Sequence, residues 1–346
     1  MIDGNNMHNT IFIKSKRNLS LDVIKIFSCV LVVMMHTLRH IDITVSLHPF
    51  LYYFTRCSMP LFFMASGAIV FTREEIRPEY CFKKIRDIII VMLGYYFIDG
   101  VVRLLMVPHF SYNKNVIHDI IQTVDSDFGV FWFLRTLIIL YFILPELHSF
   151  YKKNSKKLLC VLACICILID FLNIINVKFL GGNIYLQRLL PLQECRLWTW
   201  LLYYVLGGVI YQHRRLYVKT NKYAIISLIT TVIAIFYMYH MLYVSTNIIN
   251  GEYAYDSVFV ILWSASLMIT CLSFSFQKIK STIGSLVKLI MPIYALHGFF
   301  LIYLENNAVF QSYWMQIVAW GGIVSLAASI GWLMHKIPVI KRLTHI

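Results

Sequence analysis

Ten mostly apolar runs divide the chain, at 20–38, 50–72, 85–107, 128–147, 158–176, 198–212, 223–243, 257–275, 287–307 and 314–335. About twenty apolar residues span a bilayer as α-helix, and all but the short run at 198–212 approach that length. The pattern predicts an all-α polytopic membrane protein, a bundle of about ten transmembrane helices at 20–335 between tails at 1–19 and 336–346. The longest connections, 108–127 and 177–197, are too short to build a core of their own. No internal repeat is visible, which disfavours transporters built from inverted repeats. Residues 1–18 carry no apolar core or small-residue cleavage site, so no removable signal peptide is expected and the first helix directs insertion.

Composition agrees: 59% of residues are hydrophobic and 14% charged, and the mean hydropathy of +0.69 lies far outside the soluble range. A net charge of +14 would suit nucleic acid, but its distribution points elsewhere. With the N-terminus inside, 22 of the 31 Lys and Arg residues fall on cytoplasmic segments, in clusters at 14–17, 73–86, 152–157, 214–222, 278–288 and 336–342. Eight lie in the outer half, and Lys25 alone sits within the first run. This is the positive-inside distribution, and it puts both termini in the cytoplasm with no nucleic-acid partner. The eight cysteines show no metal-ligand spacing and read as small apolar fillers.

Lys25 and His36 interrupt the first run, SLDVIKIFSCVLVVMMHTL. An intramembrane charge is a functional-site hypothesis by default. Eleven residues of α-helix turn through about 1100°, within about 20° of three full turns, and rise ~16.5 Å. Lys25 and His36 therefore share one face at two depths, with Asp22 close to it. Such a stripe suits a long substrate with an anionic head and a reactive tail. A neutral imidazole is an apt general base near pH 7, though a core histidine hydrogen-bonded to a neighbouring helix is the plainer account of His36, as of His240, His297 and His335.

A second constellation, FKKIRD at 82–87, places Lys83 and Arg86 one helical turn apart at the inner end of the third run. As a pair they would clamp phosphates, Arg by its bidentate fork and Lys as a point charge; alternatively they are ordinary cytoplasmic anchors. Asp99 and Arg103 are spaced to neutralise each other. Asp170, Asn173 and Glu305 face either a cavity or a partner helix. Arg56 and Arg135, near outer ends, either snorkel or meet an anionic acceptor. The pairs Gly207-Gly208 and Gly321-Gly322 read as sites of close helix packing.

LDVIKIFSCVLVVMMH at 21–36 resembles the first-helix signature of the acyltransferase-3 family of bacterial membrane acyltransferases. Further pieces follow in the family's order: RCSMPLFFMASG at 56–67, the basic pair Lys83-x-x-Arg86, FWFLRTLIILYFILP at 131–145, and YYVLGGVIY at 203–211 with IYALHGFF at 293–300. The resemblance covers about residues 20–335, and with no appended domain it is closest to short stand-alone members such as the enterobacterial-common-antigen O-acetyltransferase and small O-antigen acetylases. It implies a ten-helix bundle in the bacterial inner membrane that transfers an acyl group, usually acetyl from cytoplasmic acetyl-CoA, to a hydroxyl of a surface polysaccharide or its lipid-linked precursor. Acyl-CoA is then a donor substrate, and no bound cofactor or metal is implied. His36 becomes the catalytic residue, Lys25, Lys83 and Arg86 the acyl-CoA contacts, and Asp22 and Arg56 supporting or acceptor-side candidates. Two positions depart from the pattern: Lys25 stands where Arg is commoner, and Ile89 where a proline often follows the basic pair. A transporter or flippase, or a non-catalytic member of a glycan-export complex, are the competing readings.

Overall fold

The computed structural model describes residues 18–38, 48–106, 131–179, 195–217, 221–244, 251–306, 312–338 and 340–344, and all regular structure among them is helical. Backbone groups in lipid must be satisfied within their own segment, which helices achieve. The elements are α1 (Leu19–Thr37), α2 (His48–Phe54), α3 (Ser58–Phe71), α4 (Pro78–Met106), α5 (Trp132–Phe179), α6 (Leu197–Gln212), α7 (Asn221–Met238), α8 (Val258–Ser273), α9 (Lys280–Leu286), α10 (Ile290–Asn306) and α11 (Tyr313–Lys336). Each of the ten apolar runs lies mainly on one or more of them. Among the described residues, six helical segments are long and apolar enough to cross a membrane: Leu19–Thr37, Pro49–Phe71, Trp132–Phe179, Asn221–Leu242, Gln277–Leu301 and Tyr313–Lys336. Residues 1–17 of the expected tail at 1–19, the connection at 108–127, and residues 180–194 of the connection at 177–197 lie outside the described residues.

The 48-residue α5 joins two runs that the sequence separates by a polar link. A single non-helical residue, Asn154, with φ −142° and ψ 42°, divides it. At one end Trp132 packs on Trp200 with ring centroids 4.9 Å apart. Cys166 lies beside Asp256, whose Oδ1 accepts a hydrogen bond from the Thr199 hydroxyl at 2.6 Å. Trp132 and Cys166 thus reach the same level of α6, although a straight helix would separate them by roughly 51 Å. The chain reverses at Asn154, and α5 is two antiparallel limbs.

Ring contacts fix the directions of the neighbouring helices. Phe63 stacks on Trp200 and Phe71 meets Tyr204, while Phe63 also meets Trp132 and Phe71 stacks on Tyr151. Both partners advance together along each pair, so α3, α6 and the first limb of α5 run parallel. Conversely, α7 and α8 run antiparallel, because Tyr223 meets Thr270, Thr230 meets Ser266 and Tyr237 meets Phe259. Alternation of this kind is what a chain threading back and forth produces.

The closest approach is between α3 and α6. A Cβ added at Gly67 would sit 1.8 Å from the Tyr204 carbonyl oxygen, and one at Gly207 would sit 2.0 Å from that of Met64. Small residues let the backbones meet, as they do across helices in lipid. Gly208 is also confined, by Phe71 and Tyr151. The second expected packing pair is a correction: Gly321 and Gly322 are exposed on α11, with nothing within 4 Å of a Cβ. The C-terminal turn Ile340–Thr344 folds back onto α4, where the Tyr95 hydroxyl donates to the Leu343 carbonyl at 3.2 Å.

Gly67→Ala should therefore lower the thermal unfolding temperature of the detergent-solubilised protein, by an overpacking cost of about 1–3 kcal/mol or more. Gly321→Ala should leave it unchanged or slightly raised.

Candidate active site

The stripe on α1 faces inward. Asn18 caps the helix, its side chain accepting from the Leu21 amide at 3.2 Å, and Asp22 in the first turn suits the positive end of the helix dipole. Asp22, Ser28, Cys29, Val32 and Val33 are buried, and Lys25 and His36 are half-buried among them. At the N-terminal end of α1 the Asn18 amide donates to the Tyr211 hydroxyl at 2.9 Å and the Cys271 thiol meets the Ser20 carbonyl, so α6 and α8 close that end. Further along, Trp320 of α11 donates to the Val30 carbonyl at 3.1 Å.

Beside His36 stands a second imidazole that the sequence reading left as a core histidine. The His36 and His297 rings have centroids 5.2 Å apart. His297 is fully buried on α10, and its Nδ1–H donates to the Tyr294 carbonyl one turn earlier. Its Nε2 is buried without a hydrogen-bond partner among the described residues. Tyr294 in turn packs against Phe131 and Phe133 at the start of α5. An aromatic wall thus backs the two imidazoles.

At the other end, α4 divides its basic residues between two faces. Phe82, Ile89, Ile90, Leu93 and Phe97 are exposed, and Lys83 and Arg86 are exposed with them; Arg86 pairs with Asp87 at 2.9 Å. The inward stripe is Lys84, Ile88, Val91 and Tyr95, of which the last three are buried and Lys84 half-buried. Burial lowers the Lys84 ammonium below the usual lysine range; Asp87 opposes this, and Arg73 and Lys83 add to it. Arg73 lies over the Tyr80 ring at 4.3 Å, and Tyr80 meets Tyr141 edge to face. Half-buried Lys84 is the inward-facing cation of α4, and the exposed Arg73, in the connection that precedes α4, stands beside it over Tyr80. Lys25 and the 83–86 segment are held by different partners: α1 packs chiefly on α3, α10 and α11, and α4 on α5 and the C-terminal turn.

Arg56 is 6% exposed and turned inward, over the Tyr52 ring at 4.4 Å and hydrogen-bonded to the Tyr52 hydroxyl, rather than snorkelling. Asp170 accepts from the Tyr237 hydroxyl at 2.7 Å, so it faces a partner helix. The Arg103 and Glu305 side chains lie outside the described residues.

The family model of the acyltransferase domain, Acyl_transf_3, matches residues 18–336. The chain belongs to the acyltransferase-3 family. No curated protein and no solved structure matches it. As an acyltransferase-3 protein it is a multi-pass membrane acyltransferase, which sets aside the transporter and flippase readings. In such an enzyme the α1 stripe carries Lys25 and, about three turns further along the helix, the His36 imidazole. The sequence signal for His297 was present, since IYALHGFF was one of the family pieces, but its neighbour on α1 lies 261 residues away in the chain.

The depressed Lys84 ammonium yields a chemical check. More of it is unprotonated at a given pH, so competitive amine labelling read by mass spectrometry should show Lys84 titrating below a free lysine side chain. Asp87→Asn removes the opposing charge and should lower its titration point further. A titration at or above that of free lysine would contradict the placement.

Proposed function

We propose that this acyltransferase moves an acetyl group from cytoplasmic acetyl-CoA to a hydroxyl of a surface polysaccharide or its lipid-linked precursor, in the inner membrane of a bacterium. The observation that carries the reading is the α1 stripe, which begins at half-buried Lys25 and ends where the His36 ring meets that of His297. Ten crossings with both termini cytoplasmic, supported by the basic clusters and the alternating helix directions, give the stripe its polarity.

In this reading the CoA nucleotide stays at the cytoplasmic mouth. Lys25, Lys83 and Arg86 contact its phosphates, and Lys84 on the inward face of α4 and Arg73 in the connection before α4 extend that surface. The pantetheine arm carries the thioester along α1 to His36. Neutral His36 takes the proton of the acceptor hydroxyl, whose oxygen attacks the thioester carbonyl. The tetrahedral intermediate collapses with cleavage of the C–S bond, and His36 returns the proton to the departing thiolate. Asp22 supports the inner end of the stripe, and Arg56 lies on the acceptor side. A covalent acyl-histidine relay would use the same groups in two steps.

His36→Ala should lower acetyl transfer about 10²–10⁴-fold, the usual yield of acid–base help, while CoA still binds. Lys25→Ala should instead raise the acetyl-CoA concentration required, and Lys25→Arg should largely preserve transfer. Labelled acetyl-CoA, purified protein and a glycan acceptor measure all three; full transfer by His36→Ala at normal expression would overturn the assignment.

Topology has a separate check. Reporter fusions after residue 217 should read cytoplasmic and those after residue 250 extracytoplasmic. The reverse pattern would overturn which mouth receives CoA.

A further inference from the structure

Two contacts in step fix the pairing of α1 with α10. The Cys29 thiol donates to the Ile290 carbonyl at 3.4 Å, and seven residues further along each helix His36 meets His297. The helices run parallel in register, so the two imidazoles are held at one depth by packing on both sides. The His297 tautomer is also settled. Its Nδ1 faces a carbonyl, which only accepts, so Nδ1 carries the hydrogen. In the neutral ring Nε2 then holds a lone pair, and that atom is buried with no protein partner among the described residues. Buried acceptors are rarely left this way, and the ring that carries this one lies 5.2 Å, centroid to centroid, from the His36 imidazole.

We propose that His297 is a positioning residue for His36: its Nε2 accepts the second N–H of the His36 imidazolium during acyl transfer. The inference rests on the acyl-transfer reading above. When His36 takes the hydroxyl proton, its ring becomes cationic and both nitrogens become donors. One N–H holds the proton bound for the thiolate, and the other donates to His297 Nε2. The C–O bond forms, the C–S bond breaks, the thiolate takes the proton from His36, and both rings end neutral. His297 keeps its own protonation state throughout; it orients the His36 ring and stabilises its transient charge, the role that a carboxylate serves in a catalytic triad.

Two substitutions separate this role from a purely structural one. His297→Asn keeps a donor where Nδ1 meets the Tyr294 carbonyl and leaves nothing at the Nε2 position. His297→Gln carries an amide oxygen out to the Nε2 position and gives up the Tyr294 bond. The full-length protein is assayed in membrane vesicles that contain their own acceptor, with [14C]acetyl-CoA as the probe. The Gln variant should keep most of the wild-type kcat. The Asn variant should lose at least about tenfold, part of what acid–base help supplies, with KM for acetyl-CoA unchanged in both. An Asn variant as active as the Gln variant, or more so, or a loss confined to KM, would overturn the pairing. If wild-type vesicles transfer no label, the acetyl-transfer reading itself fails; if they transfer it, His36→Ala does not and His297→Asn does, only the pairing fails.

Discussion

An ionisable side chain facing lipid is costly, and the arrangement of this protein follows from enclosing the ones on α1. Asp22, Lys25 and His36 lie on one face, so that face must be covered along its whole length. The cover comes from α3, α8, α10 and α11, which makes α1 central despite its place near the N-terminus. The Pro49–Phe71 segment is the most deeply buried of the six candidate spans, whereas α7, α11 and the second limb of α5 present wide apolar faces outward.

Enclosure of this kind demands close packing, and the glycine crossing of α3 and α6 provides it. Backbone contact at Gly67 and Gly207 draws α6 in behind α3. Trp200 then packs between Phe63, Trp132 and Tyr255. The same aromatic layer continues through Phe133 to Tyr294 on α10, and Tyr294 holds the Nδ1–H of His297. A chain of rings therefore runs from the α3–α6 crossing to the imidazole pair.

The existence of the helices was legible from the sequence because apolar runs of bilayer length are a strong signal. Facing was not. In water the polar side of a helix marks its outside, but in lipid both sides are apolar, so Phe82, Leu93 and Phe97 look like core residues and are exposed. For that reason Lys83 and Arg86 stood out as a pair one turn apart, while Lys84 on the inward face did not. The Asn154 reversal within one 48-residue helix reads as a basic loop, since four lysines flank it. Lys25 and His36 were visible as a unit through helical spacing alone. His297 required the pairing of two helices at opposite ends of the chain, which no local pattern encodes.

The central claim is that the acyl group of the donor travels along α1 to the imidazole pair while its nucleotide stays at the basic mouth. The most direct measurement is photo-crosslinking of the full-length membrane protein with a CoA thioester bearing a diazirine in its acyl group, followed by peptide mapping. Label should appear on segments 29–36 and 290–297 and be displaced by excess acetyl-CoA. Label confined to the outward faces of α5, α7 or α11, or not displaced by acetyl-CoA, would contradict the account.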